Sequence, residues 1–191
     1  MKNEKLNTKD VILNTATWLF AKHGYHGTGL NQIIKESGAP KGSLYYYFPK
    51  GKEELAIACV KLTQSNLQSK LQELMSRFAK PQDFLRAFIL NIADRMDGFG
   101  TDKFVPFGFW AAAETSSVSD SLRDACQAAL AEWKDTLSNK LVDTGITKER
   151  AVEMAEISVC LIEGATIMSV VERNSRAMRR AAKHISAILE E

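Results

Sequence analysis

The chain has 191 residues, 45% of them hydrophobic and 25% charged, an ordinary globular composition with length for one domain or for two small ones sharing a core. Four prolines and eleven glycines exclude a low-complexity chain, and the formal charge of +2 by itself selects no partner. The distribution is more informative: between Lys22 and Lys52 stand five lysines (Lys22, Lys35, Lys41, Lys50, Lys52) against one acid, Glu36, a local excess that points to a polyanion.

The first predicted helix is capped by Asn7 or Thr8 and carries Val11, Ile12, Ala16, Leu19 and Phe20 at spacings of three and four. It ends at "KHGYHGTG", where Gly24 suits a left-handed C-cap. A short second helix, 30–37, turns Ile33 and Ile34 inward, with Thr28 a candidate N-cap. Gly38-Ala39-Pro40 breaks it. Pro40 fits the start of a third helix, where its missing N–H is not needed. Leu44 and Phe48, one turn apart, share that helix's buried face.

A long helix is expected over about 53–78, with Val60, Leu67, Leu71, Leu74 and Phe78 as its stripe, and another from Pro81 through Met96. "DGFGTDKFVPFGFW" reads as irregular. A helix from Ser119 or Asp120 runs to Thr144-Gly145, and two more cover about 148–173 and 176–189. No strand alternation of any length is present. The fold class is therefore all-α, with about nine helices expected: a three-helix N-terminal head and a helical body, divided as 1–53 and 54–191.

Two short helices joined by a tight turn describe a helix-turn-helix whose second member, 41–48, would enter the major groove. Lys41 reaches a phosphate or a guanine edge. Gly42 lets the backbone come close. Ser43 hydrogen-bonds a base or a phosphate, and Tyr45, Tyr46 and Tyr47 offer hydroxyls to phosphates and ring edges to thymine methyls. Lys50 and Lys52 would meet the flanking backbone. The competing reading makes the tyrosines half-buried packing residues.

"LFAKHGYHGTGLNQIIKESGAPKGSLYYYFPKGKEEL" resembles the DNA-binding head of the TetR family of transcriptional repressors, and "GAPKGSLYYYFPKGKEEL" is similar to its LmrA/YxaF-type branch. The matching elements include Leu19-Phe20, Gly24-Tyr25, Thr28, Ile33-Ile34, Gly38, Lys41 to Tyr45, Phe48 and Lys52. The sequence departs from the family's frequent pattern at Leu30, Pro40 and Tyr47, so no operator sequence carries over. The resemblance implies a homodimer on a roughly palindromic operator, Thr28 at the DNA and a small effector bound in the body. It further implies that the effector releases the DNA, and a tilt of the long helix over 53–78 is the expected means.

The helix over 148–173 carries two neighbouring stripes. One is Met154, Ile157, Leu161, Gly164, Met168 and Val171; the other is Ala155, Ser158, Ile162, Ala165 and Ser169. The second, mostly small, permits close helix approach. With Met178, Ala181 and Ile185 of the last helix it is expected at the dimer interface, the alternative being an intramolecular core. Phe88, Met96, Phe104, Phe107, Trp110, Trp133, Met154 and Met168 are the expected lining of an adaptable pocket for a lipophilic or aromatic effector; ordinary core is again the alternative.

The remaining features point away from other classes. The first ten residues are polar and no apolar stretch follows, so no secretory signal is expected. The run 157–171, interrupted by Glu163, is too short to span a bilayer. Cys59, Cys126 and Cys160 read as reduced thiols of a cytoplasmic protein. His23 and His26 lie in a turn without a metal-ligand partner in spacing, and His184 sits in a basic helix. No catalytic or cofactor motif appears. An all-α enzyme would need paired acids, and Glu114, Glu163 and Glu172 are not so spaced.

Overall fold

The structure, a computed structural model, describes residues 7–99 and 119–190. Among them are eight helices and no strand: α1 (Thr8–Gly27), α2 (Leu30–Ser37), α3 (Lys41–Tyr47), α4 (Lys52–Arg77), α5 (Pro81–Phe99), α6 (Asp120–Asp143), α7 (Lys148–Glu172) and α8 (Arg176–Glu190). The protein is all-α. Its described residues fall into two compact units, one of residues 7–63 with 119–127, the other of 64–99 with 128–190.

In the first unit, Asn7 caps α1 by accepting the Asp10 N–H at 2.9 Å. Ile12, Ala16, Leu19 and Phe20 are buried, as their spacing requires. Gly24 interrupts α1 with φ 75° and ψ 172°, a conformation almost confined to glycine, and the helix resumes to Gly27. α2 ends at Gly38 in the left-handed region, φ 65°. Pro40 then starts α3, whose Leu44 and Phe48 are buried. The first turns of α4 bury Leu55, Ala56, Cys59 and Val60, and the Cys59 thiol donates to the Leu13 carbonyl at 3.8 Å. This packing is why the unit extends past the expected division at residue 53, to Thr63. Burial pushes the Cys59 thiol up to about 12, so it stays protonated as a packing residue.

The second unit has one continuous core, including Leu71, Phe84, Phe88, Met96, Trp133, Met154, Ile162, Met178 and Ile185. α7 and α8 form an antiparallel pair across the turn at Arg173, itself left-handed at φ 53°. The Ser169 hydroxyl accepts the Met178 N–H at 3.3 Å across that pair. α8 also packs on α5: the Arg179 guanidinium donates to Asp94 and Asp97, both at 2.8 Å, and the Ser175 hydroxyl donates to Asp97 at 2.8 Å. These bonds hold the Asp97 carboxyl below its ordinary range.

Candidate nucleic-acid interface

The exposed surface of α3 follows from its inward anchors. Each helical residue turns about 100°, so fixing Leu44 and Phe48 in the core sends Gly42, Tyr45 and Tyr46 outward. Tyr46 is 79% exposed and Tyr45 43%. Lys41 is exposed at the start of the helix, and Ser43 and Tyr47 are half-buried. The Tyr47 ring meets the Tyr46 ring edge-on at 5.1 Å. A Cβ at Gly42 would meet nothing within 4 Å, so no internal packing explains the absence of a side chain there. A backbone open to close approach, two outward phenols and a cation form a surface suited to groove edges and phosphates. Lys50 is exposed just beyond, and its backbone N–H donates to Glu54 at 2.8 Å, tying this turn to α4.

Of two expected contacts, Thr28 belongs to the interior and Lys52 is held by a contact within the head. Thr28 is fully buried, and its hydroxyl donates to the carbonyls of Gly24 at 2.8 Å and Leu19 at 3.1 Å. Those two bonds tie the residue after α1 back to the helix on both sides of its interruption at Gly24, so the hydroxyl is consumed in closing the turn. It does not cap α2 either: Gly29 holds that position without a side-chain bond. Lys52 is half-buried, with its ammonium 4.4 Å from the centroid of the Tyr25 ring, a cation–π contact within the head. Tyr25 in turn stacks on Phe20 at 5.8 Å. Burial, and secondarily the nearby Glu53 carboxylate, raises the Tyr25 phenol above its ordinary range.

In the second unit the expected pocket residues separate. Phe88, Met96, Trp133 and Met154 are buried in one core, with the Phe88 and Trp133 rings edge-on at 6.2 Å. Met168 is 54% exposed near the other end of α7 and is no part of that core, a correction to the expectation. Phe104, Phe107 and Trp110 lie outside the described residues. The core also holds polar atoms that sequence reading missed. Gln64 Nε2, Gln68 Oε1, Trp133 Nε1 and Ser158 Oγ are buried without a hydrogen-bond partner. Gln64 and Gln68 share one face of α4, and Gln68 Nε2 donates to Thr136 at 2.7 Å, one turn from Trp133. The signal was two glutamines within a row that also carries Val60 and Leu71.

The dimer expectation is corrected in a specific way. Ala155, Ser158, Ile162, Ala165 and Ser169 face their own protomer's core, and Met178, Ala181 and Ile185 of α8 are buried with them. The other stripe is uncovered in part: Ile157 is 53% exposed and Val171 76%, with Gly164 and Met168 exposed between them, whereas Met154 is buried and Leu161 packs partly buried against the core. α7 is long and apolar enough by composition to cross a membrane, yet its inward half packs against its own protein.

Residues 12–59 match the family described as bacterial regulatory proteins, tetR family. Residues 81–184 match the C-terminal domain of the LmrA/YxaF-like transcriptional regulators. The chain is 39% identical over 184 residues to the HTH-type transcriptional regulator LmrA of Bacillus subtilis (strain 168), covering 96% of this chain and 97% of that one. It is 36% identical over 183 residues to the uncharacterized HTH-type transcriptional regulator YxaF of the same organism, covering 96% and 95%. Its fold matches the crystal structure of the reduced form of Escherichia coli NemR with a TM-score of 0.84 at 22% identity, over 95% of this chain and 96% of that one.

Proposed function

Because this chain belongs to the TetR family of bacterial regulatory proteins, in its LmrA/YxaF-like group, and is a DNA-binding transcriptional regulator, we propose that it is a homodimeric repressor released from its operator by a small effector. The observation that carries the DNA reading is α3, buried along Leu44 and Phe48 and bare along Lys41, Gly42, Tyr45 and Tyr46. In this reading Lys41 and Lys50 meet phosphates, Tyr45 and Tyr46 read the groove, and Ser43 and Tyr47 contact its rim. Thr28 and Lys52 hold the head together behind them.

The partner surface is the outward stripe of α7. A large apolar side chain left in water forgoes roughly 1.5–3 kcal/mol of transfer energy, so Ile157, Met168 and Val171 together favour a covering partner. A second copy supplies the two-fold symmetry that a palindromic site demands.

The effector site is read in the core around Phe88, Trp133 and Met154. A buried polar group without a partner costs about 1–3 kcal/mol. Gln64, Trp133 and Ser158 each hold such a group in the unit that contains these apolar walls. A guest with an aromatic face and oxygen or nitrogen acceptors would satisfy them. Gln64 and Gln68 lie on α4, the same continuous helix whose first turns belong to the head unit. A displacement of that helix by the guest would act on α3 through covalent continuity.

Gel shifts on duplexes covering the DNA beside its own coding sequence test the proposal. The wild-type protein should retard one duplex as a dimer, and Tyr46→Ala should lose at least about tenfold in affinity. Equal affinity of the two proteins would set the α3 assignment aside.

A further inference from the structure

Ser119 joins two helices that are remote in sequence. It stands just before α6, where its carbonyl accepts the Arg123 N–H at 3.0 Å and its hydroxyl accepts the Leu122 N–H at 3.2 Å. That is the work of an N-cap. The same hydroxyl donates its proton to the Glu53 carboxylate at 2.5 Å, 66 residues away on the first turn of α4. Neither helix requires this bond. A carboxylate suits the first turn of α4 through the helix dipole alone, and an N-cap needs only its oxygen. The proton of Ser119 is spent on a link between helices.

The first turn of α4 is a junction. Lys52 lies 4.4 Å from the centroid of the Tyr25 ring of α1, Glu53 holds Ser119, and Glu54 accepts the backbone N–H of Lys50 at 2.8 Å in the turn that follows α3. Three successive residues thus fasten α1, α6 and the exit of α3 to one short piece of backbone. Leu122 and Cys126 of α6 are buried in the same unit as Leu55, Ala56 and Cys59 of α4, so the start of α6 is seated in the head unit.

α6 continues beyond it. From residue 128 the helix belongs to the second unit, where Trp133 is buried with an indole N–H that has no partner among the described residues. Thr136, one turn on, accepts the Gln68 Nε2 of α4 at 2.7 Å. The same two helices are therefore tied in each unit, by Glu53 and Ser119 in one and by Gln68 and Thr136 in the other. A helix moves as a stiff element, so a residue capping its end follows a displacement made along its length.

We propose that the hydrogen bond between Ser119 and Glu53 is a latch through which α6 sets the DNA-reading head. Closed, it holds the turn after α3 in place for DNA; a guest that takes up the Trp133 N–H draws α6 and opens it. This rests on the effector reading above and adds α6 as a second route beside the continuity of α4.

An exchange of donor and acceptor tests the latch with no effector in hand. Ser119→Asp keeps an oxygen for the Leu122 N–H, since aspartate caps as well as serine, but sets a carboxylate against Glu53. Adding Glu53→Gln offers that carboxylate an amide N–H and closes the latch with the roles reversed. Affinity for the duplex retarded by the wild-type protein should fall about tenfold in Ser119→Asp and return to within about threefold of wild type in the double variant. Glu53→Gln alone, whose amide oxygen still accepts from Ser119, should bind as the wild type does. Glu53→Ala opens the latch with the α6 cap whole and should also lose about tenfold, so one arm survives a folding failure in the other.

Coupling to the core is read from Trp133. The chain has three tryptophans, and fluorine NMR of protein grown with fluorotryptophan follows them separately, Trp133 being assigned by its loss in Trp133→Phe. Linkage is reciprocal, so saturating duplex should move the Trp133 resonance of the wild type. The movement should shrink in Ser119→Asp and recover in the double variant. Unchanged affinity in the folded Ser119→Asp or Glu53→Ala protein, no rescue in the double variant, or a Trp133 movement indifferent to these changes overturns the latch and leaves the effector reading standing. A Trp133 resonance that duplex never moves overturns the coupled core, and the latch with it.

Discussion

The Lys52 ammonium lies 4.4 Å from the centroid of the Tyr25 ring, so a lysine that sequence would assign to DNA is held by the head itself. Lys50, two residues earlier, is exposed. The two lysines should therefore respond differently to the same change. Lys52→Met should lower stability by about 0.5–1 kcal/mol, seen in thermal unfolding, with little effect on the salt dependence of DNA binding. Lys50→Met should leave unfolding unchanged and flatten that salt dependence by about one counterion. Identical behaviour of the two variants would contradict the placement.

Thr28 gives a second prediction. Its hydroxyl serves two carbonyls, Gly24 at 2.8 Å and Leu19 at 3.1 Å, in a fully buried position. Thr28→Val keeps the shape and strands both acceptors. It should cost about 1–3 kcal/mol and lower the melting temperature by several degrees. At a temperature where the variant is folded, its DNA affinity should stay close to that of the wild type. A large loss of affinity in the folded variant would restore Thr28 to the interface.

Ser158 tests the reading of the core. Its hydroxyl is buried without a partner, so Ser158→Ala removes an unmet polar group at nearly constant volume. The effector-free protein should be as stable as wild type or more stable, by up to about 1–3 kcal/mol. A clear loss of stability in denaturant unfolding would mean that the hydroxyl is satisfied and is not held for a guest.

Glu163 offers a pH test. Burial raises its carboxyl above the ordinary range. Between the unfolded and folded values the native state binds the extra proton, so this group's contribution to stability falls as pH rises through that window. Glu163→Gln should therefore melt higher than wild type at pH 7, with the gain shrinking toward zero below the ordinary carboxyl range. A gain independent of pH would point to packing instead of ionisation.

Helix ends were legible because the chemistry that makes them is local. Gly38, Pro40, Pro81 and Gly145 each fix a cap or a break within a few residues, and the helices begin and end there. The outward face of α3 was legible from Leu44 and Phe48 alone. The choice between the stripes of α7 was not, because both are apolar and periodicity finds stripes without saying which meets its own core. Small residues at 155, 158, 165 and 169 were read as an intermolecular seam. They accommodate the protomer's own helices, Ser169 receiving the Met178 N–H of α8. Thr28 was misplaced for a related reason, and Lys52 shows the same ambiguity: a hydroxyl or an ammonium serves a carbonyl or a ring as readily as a phosphate, and only geometry distinguishes them.

The central claim is that α3 presents Lys41, Gly42, Tyr45 and Tyr46 to duplex DNA, and a salt titration of DNA affinity tests it most directly. Affinity for the retarded duplex, measured by fluorescence anisotropy from low to moderate salt, should fall steeply and linearly on logarithmic axes. Lys41→Ala should reduce the slope by about one, and Tyr46→Ala should lower affinity at every salt concentration with the slope unchanged. A slope and affinity indifferent to both substitutions, in variants that remain folded, would contradict the account.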